Sequence, residues 1–310
     1  MTRPPLRAAL EDYLSLRRAL GFKLNNAGRL LGQFAGYLEE RGIDTITTDD
    51  ALAWASLPAG ASPHWRRIRL SAVRGFAAYL RGLDASVAVP PAGLMRTGPC
   101  RATPYLYSAG EIASLLQATA RLRPALRAAT YYTLIGLLAV TGLRIGEAIA
   151  LEDQDLDLER AVLVVRNTKF GKSRLVPLHP TATAALARYL KMRDHLCPQR
   201  PGPALFVSSR GTRLLHSNIQ LTFAGLARRC GITPRSASCR PRIHDLRHAF
   251  AVTSLLSWYV AGEDVAAMLP RLATYLGHAD PKHTFWYLSA APELMALAGQ
   301  RLDAHLERQP

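Results

Sequence analysis

The sequence predicts a mainly α protein carrying one small antiparallel sheet, split into an all-α first domain and a mixed α+β second one. Three observations predict it. Apolar residues recur at helical spacing through most of the chain. Two strand-like runs lie close together, AVLVVRN and SRLVPL. Between the two regions, VAVPPAGLMRTGPCRATP at 87–104 is a linker by composition. With 310 residues, 49% of them hydrophobic, the chain can bury a core in each part.

Residues 6–20 place Leu10, Leu14 and Leu16–Leu20 at helical spacing before Gly21. A second helix fits 25–41, with Leu30, Leu31, Phe34, Tyr37 and Leu38 on one face and Gly42 as its stop. Thr48 reads as the N-cap of a short helix through Ser56, and Ser62-Pro63 opens another that Gly82 closes. That last helix carries Arg66, Arg67, Arg69 and Arg74, which read as a phosphate-facing set. Beyond Tyr105, Ser108 caps a helix, 125–141 is apolar and ends at Gly142, and a short helix follows Arg144. The two strands join across Thr168–Lys172, with Gly171 in the turn. Further helices fit 181–195, 217–230, 244–260, 263–276 and 292–307. The expected division is a helical domain over 1–86, a linker over 87–104 and a second domain over 105–310.

Charge narrows the function. Thirty-nine Lys and Arg against 23 Asp and Glu leave +16. Both parts are basic, +5 over residues 1–100 and +11 over 101–310, which suits two domains holding a polyanion. An arginine-rich composition alone is the blander source, since only five of the 39 are lysine. Neither a secretory signal nor a bilayer-length apolar run is visible, so a cytoplasmic protein is expected. Cys100, Cys197, Cys230 and Cys239 show no zinc-site spacing and read as single reduced thiols.

Four segments stand out: TGLRIGEAIAL at 141–151, TKFGKSRLVPL at 168–178, HDLRHAF at 244–250 and LGHADPKHTFWYL at 276–288. Taken singly, each has an ordinary structural reading: a surface arginine after a turn, a solvated hairpin lysine, a helix-end histidine, a core tyrosine. Taken in order, they resemble the tyrosine recombinase, or phage integrase, family, over roughly residues 105–290. Arg144 stands in the family's TGLRxxE context with Glu147. Lys169 opens its K-x-x-K-x-R-x-V-P-L hairpin, ahead of Lys172 and Arg174. His244 and Arg247 form H-x-x-R, His278 belongs to LGH, and Tyr287 follows nine residues later.

The resemblance implies a SAM-like core-binding domain at the N-terminus and a recombinase catalytic domain after it. It implies double-stranded DNA recombination sites as substrate, and a homo-tetramer or hetero-tetramer on DNA. The helix over 292–307 would dock into the neighbouring protomer. Neither cofactor nor metal is implied, and no carboxylate cluster for Mg²⁺ is evident. Tyr287 would attack the phosphodiester, with Arg144 and Arg247 as planar forks on its non-bridging oxygens. His244 would be the base, Lys169 the acid for the leaving 5′-oxygen, and His278 a hydrogen-bond donor to the phosphate. Tyr275 is the rival nucleophile, Lys172 the rival acid, and Glu147 would orient Arg144. His248, directly after Arg247, is expected to point away and act structurally.

The step of 31 positions from Arg247 to His278 exceeds the compact Xer-type spacing and favours recombinases of mobile elements. Integration, excision or transposition is therefore expected. The alternatives are a catalytically silent DNA-binding accessory protein and a type IB topoisomerase-like enzyme.

Overall fold

The computed structural model describes residues 5–57, 59–95, 102–166, 173–278, 280, 282–289 and 299. The chain divides into two compact units, 1–101 and 102–310.

The first unit is built from α1 (Leu6–Ala19), α2 (Asn25–Glu39), α3 (Thr48–Ser56) and α4 (Pro63–Arg81). The cap of α3 is Thr47, one residue earlier than the sequence suggests, because its Oγ1 accepts the Asp50 N–H at 3.1 Å. Ser62 caps α4 by accepting from Trp65 N at 3.2 Å, and Pro63 needs no partner there. Leu30, Leu31, Phe34 and Leu38 of α2 are fully buried. Phe34 meets Trp54 at a ring separation of 5.0 Å, and Tyr13 meets Phe76 at 5.5 Å. Burying one such side chain contributes about 1.5–3 kcal/mol.

Two of the four α4 arginines expected to face phosphate turn inward. Arg69 is buried, stacks 3.7 Å over the Trp54 ring and donates to Trp54 O at 2.7 Å. Arg74 donates to Pro90 O at 2.8 Å and to Pro91 O at 2.9 Å. Arg74 thereby ties the first part of the expected linker to this unit, where Val87 is also buried. An all-polar reading of an arginine row misses this, since the long stem and flat head pack well on aromatic and carbonyl groups.

In the second unit, Ser108 and Glu111 form a capping box at the start of α5 (Ala109–Thr119). The apolar α6 (Ala125–Thr141) runs through the core, with Leu134, Ile135 and Leu138 fully covered. The short α7 (Ile145–Ala150) follows. A three-stranded antiparallel sheet then forms in the order β1 (Leu156–Asp157), β2 (Val162–Val165), β3 (Arg174–Pro177). The two-residue β1 is too short to leave a sequence pattern. Register pairs Leu163 with Val176 and Val165 with Arg174. Leu163, Val165 and Val176 are buried, while Leu175 is outward and exposed.

α8 (Pro180–Leu196), α9 (His216–Arg229), α10 (Asp245–Val260) and α11 (Val265–Leu276) complete the main body. After them come α12 (Lys282–Phe285), which no periodicity announces, and a 3-10 turn at Trp286–Ser289. The helix expected over 292–307 lies outside the described residues. Among the described residues, no helix is long and apolar enough to cross a membrane.

Helices α6 and α11 each stop directly on a left-handed glycine. Gly142 closes α6 at φ +61°, and Gly277 closes α11 at φ +68°. A Cβ on Gly142 would come within 2.6 Å of Phe250 Cδ1. Gly142→Ala is therefore expected to destabilise the second unit by about 1–2 kcal/mol from backbone strain alone, with the steric contact adding to it. Chemical denaturation checks this, and an unchanged unfolding midpoint would contradict the strain argument.

Candidate active site

Helix ends leave main-chain carbonyls without helical partners, and the end of α11 uses three of them to collect arginines. Arg174 Nε donates to Tyr275 O at 2.8 Å. Arg247 Nη2 donates to Leu276 O at 2.7 Å. Arg144 Nη2 donates to Gly277 O at 3.1 Å, and its Nη1 to Leu276 O at 3.4 Å. The partial negative charge of a helix C-terminus favours cations there. Arg247 gains a second anchor at the end of α6, where Nη1 donates to Gly142 O at 2.7 Å.

Glu147 sits between two of these guanidinium groups. Its Oε1 accepts from Arg144 Nη1 at 2.8 Å, and its Oε2 accepts the Arg144 main-chain N–H at 3.0 Å. Arg174 approaches the same carboxylate with both Nη atoms, at 3.1 and 2.8 Å. Arg174 and Glu147 are nearly covered, at 10% and 9% side-chain exposure, while Arg144 keeps 36%. Arg144 is thus the one of the three with a face left open.

Proximity of like charges marks the protonation energetics. Burial lowers the Arg247 pKa to about 10 and the Arg144 charge pushes it the same way, while Tyr287 and Glu147 act in the opposite direction. Burial alone would raise the Glu147 carboxyl, but the bonds from Arg174 and Arg144 overcome it and hold the pKa at about 2. His278 is pushed down to about 3, first by desolvation and then by Arg247 and Arg144. His244 is also lowered, by desolvation and then Arg247. Both histidines are neutral at pH 7.

Tyr287, in the 3-10 turn, is 2% exposed. Its ring lies 6.0 Å from His278 in a stacked orientation, 5.4 Å from His248 and 5.7 Å from Trp286. His278 Nδ1 is 2.6 Å from Thr284 Oγ1, which fixes the ring. His244 precedes α10 and meets His248 edge-on at 5.1 Å.

Five of the six residues singled out in the sequence therefore fall in one cluster: Arg144 and Arg247 share the Leu276 carbonyl two residues before His278, the His278 ring faces Tyr287, and His244 stands beside them through His248. Lys169, and with it Lys172, lies outside the described residues. Tyr275 is a core residue, half-buried and stacked on Phe250 at 5.7 Å. His248 does not point away. It lines the tyrosine, because His244 and His248 are four residues apart and share a helix face; that spacing was the available signal. Arg174 was visible only as a letter in the hairpin pattern. Among the described residues, no group of three His, Cys, Asp or Glu side chains could hold a metal ion.

The family model described as "Phage integrase family" matches residues 107–293. The chain belongs to the phage integrase family. A putative integrase/recombinase, y4rB of Sinorhizobium fredii, is 46% identical over 308 residues, covering 97% of this chain and 98% of that protein. The tyrosine recombinase XerD of Caulobacter vibrioides is 33% identical, covering 93% and 92%. Among solved structures, the Tn1549 transposon integrase in complex with transposon right end DNA shares the fold. Its TM-score is 0.64 at 20% identity, covering 97% of this chain and 99% of that one. This integrase-family chain is an enzyme of the tyrosine recombinase type.

The depressed acids and histidines set an acid limit on stability. Glu147, at about 2 in the fold against an ordinary 4.5, contributes stability that is complete above pH 4.5 and lost as pH falls toward 2. His278 stays neutral in the fold to about pH 3, so the unfolded chain gains protons first as pH falls from 6.5. Glu147→Gln is expected to cost about 3–5 kcal/mol at pH 7 by leaving the nearly covered Arg174 without its carboxylate. That penalty should shrink below pH 4.5. Urea titrations at pH 7 and pH 3.5 check it, and equal penalties at both would contradict the carboxylate's role.

Proposed function

We propose that this recombinase cleaves double-stranded DNA at specific sites by attack of Tyr287 on a phosphodiester, and rejoins it to a second strand. The observation that carries this reading is the packing of one tyrosine against the His278 and His248 rings, beside Arg144 and Arg247 held on one and the same carbonyl, that of Leu276. A phosphodiester repels an incoming oxyanion, and its five-coordinate transition state concentrates charge on the non-bridging oxygens. Two guanidinium forks held before the substrate arrives stabilise that charge without reorganising. Tyr287 Oη bonds to phosphorus as the bond to the 5′-oxygen breaks, leaving a 3′-phosphotyrosine and a free 5′-hydroxyl. The phosphoester bond is kept, so the reverse attack needs no ATP.

In this scheme neutral His244 takes the tyrosine proton and Lys169 gives one to the leaving 5′-oxygen. His278, its Nδ1 paired with Thr284 Oγ1, donates a hydrogen bond from Nε2–H to the phosphate. The enzyme works in the cytoplasm as a tetramer on two DNA sites. Its role is integration, excision or transposition of a mobile element, to which the 46% identity with an integrase/recombinase lends support.

Tyr287→Phe is expected to abolish covalent protein–DNA adducts on a nicked suicide site while leaving DNA binding within a few-fold. A persisting adduct would move the nucleophile, with Tyr275 next in line. A silent accessory protein would give no adduct even with the parent sequence, and a topoisomerase would give adducts without strand exchange.

Lys169→Ala is expected to be slow on ordinary DNA and to recover on DNA whose leaving 5′-oxygen is replaced by sulfur, since a thiolate leaves unprotonated. Recovery in Lys172→Ala instead would reassign the acid.

A further inference from the structure

Arg174 has no part in the chemistry above, yet it is more deeply built into the site than Arg144. It opens β3 and faces inward on the same side of the strand as buried Val176, while Leu175 between them is exposed. Its Nε is held by Tyr275 O and its two Nη atoms by the two oxygens of Glu147. Gly277 leaves the room this needs: a Cβ there would sit 2.7 Å from Arg174 Nη1.

At 10% exposure, with three of its donors committed, Arg174 offers no open edge to a phosphate. Nor is fold stability a sufficient reason for it, since a buried ion pair brings little net stability over apolar packing. What the pair does fix is geometry. Glu147 holds the side chain and the main-chain N–H of Arg144, so whatever fixes Glu147 fixes Arg144. Arg174 fixes Glu147 from the opposite side and joins it to the end of α11, where Arg144 and Arg247 are also tied.

We infer that Arg174 is a positioning residue for DNA cleavage, holding Arg144 at the scissile phosphate through Glu147. The inference rests on the reading of Arg144 as a phosphate clamp. Arg174 supplies no contact to DNA; it sets where the open face of Arg144 points. Displacement of a catalytic group by about 1 Å costs about 10²-fold in rate.

The test is single-turnover cleavage of a nicked suicide DNA site by the full-length protein, with DNA affinity measured in parallel. Arg174→Ala is expected to slow cleavage by about 10²-fold and to leave affinity within a few-fold. Arg174→Lys should recover only part of the rate, because an ammonium cannot span two carboxylate oxygens and a carbonyl. The deciding comparison is the double variant. If Arg174 acts through Arg144, adding Arg174→Ala to Arg144→Ala slows cleavage little further, whereas independent effects multiply.

Full multiplication, or parental cleavage by Arg174→Ala, overturns the inference. Should Arg174→Ala fail to fold, Arg174→Lys carries the same comparison, and a slow variant whose defect vanishes on the Arg144→Ala background supports it. The two readings part cleanly. Slow Arg144→Ala with normal Arg174→Ala removes the positioning role alone. Normal cleavage by Arg144→Ala removes the clamp, and the positioning role with it.

Discussion

Everything in the site hangs on the last turn of α11. Three successive carbonyls, of Tyr275, Leu276 and Gly277, accept from Arg174, Arg247 and Arg144. Those arginines come from a strand, a helix and a helix cap distant in sequence. A left-handed glycine makes the turn possible, because it frees the carbonyls and leaves no Cβ in the way. Burial and the like charge of Arg144 both work against the Arg247 cation, and its lowered pKa records the two costs in that order. Carbonyl dipoles and one carboxylate offset them, which is why Glu147 remains ionised although burial opposes its charge.

The same arrangement explains how the site can be rigid before any phosphate binds. Guanidinium groups have five donors in a plane, so each arginine can spend some on the protein and keep others for a substrate. Arg144 does this, with more than a third of its side chain open. Tyr287 approaches from a short turn lined by His278, His248 and Trp286. Ring packing on several sides limits the orientations that the Tyr287 side chain can take.

Much of this was legible in the sequence, for identifiable reasons. Long helices with clear apolar faces, such as α2 and α6, declare themselves by periodicity. The motif residues Arg144, His244, Arg247, His278 and Tyr287 were found because their order and spacing are restrictive as a set, though no single one is. The misses have physical causes. Strand β1 is two residues long and α12 four, below the length at which a pattern exists. In RLVP, hydrophobicity favours burying Leu175 and exposing Arg174, and the fold does the reverse because Glu147 and Tyr275 O satisfy the charge. Adjacency to Arg247 on a helix predicts that His248 points away, yet a cleft formed by a separate segment can border both Arg247 and its neighbour. No one-dimensional pattern contains that third segment.

The habit of tying arginine to main-chain oxygen is not confined to the site. Arg69 holds Trp54 O, Arg74 holds Pro90 O and Pro91 O, Arg193 holds Leu205 O, and Arg213 holds Ile149 O. Lysine has one compact head and no planar fork, so it serves this purpose poorly, and only five of the 39 basic residues are lysine. These cations are mortar as much as charge. The formal +16 therefore overstates the number of counterions that the surface can displace from a nucleic acid. A polyanion meets fewer free positive heads than composition promises.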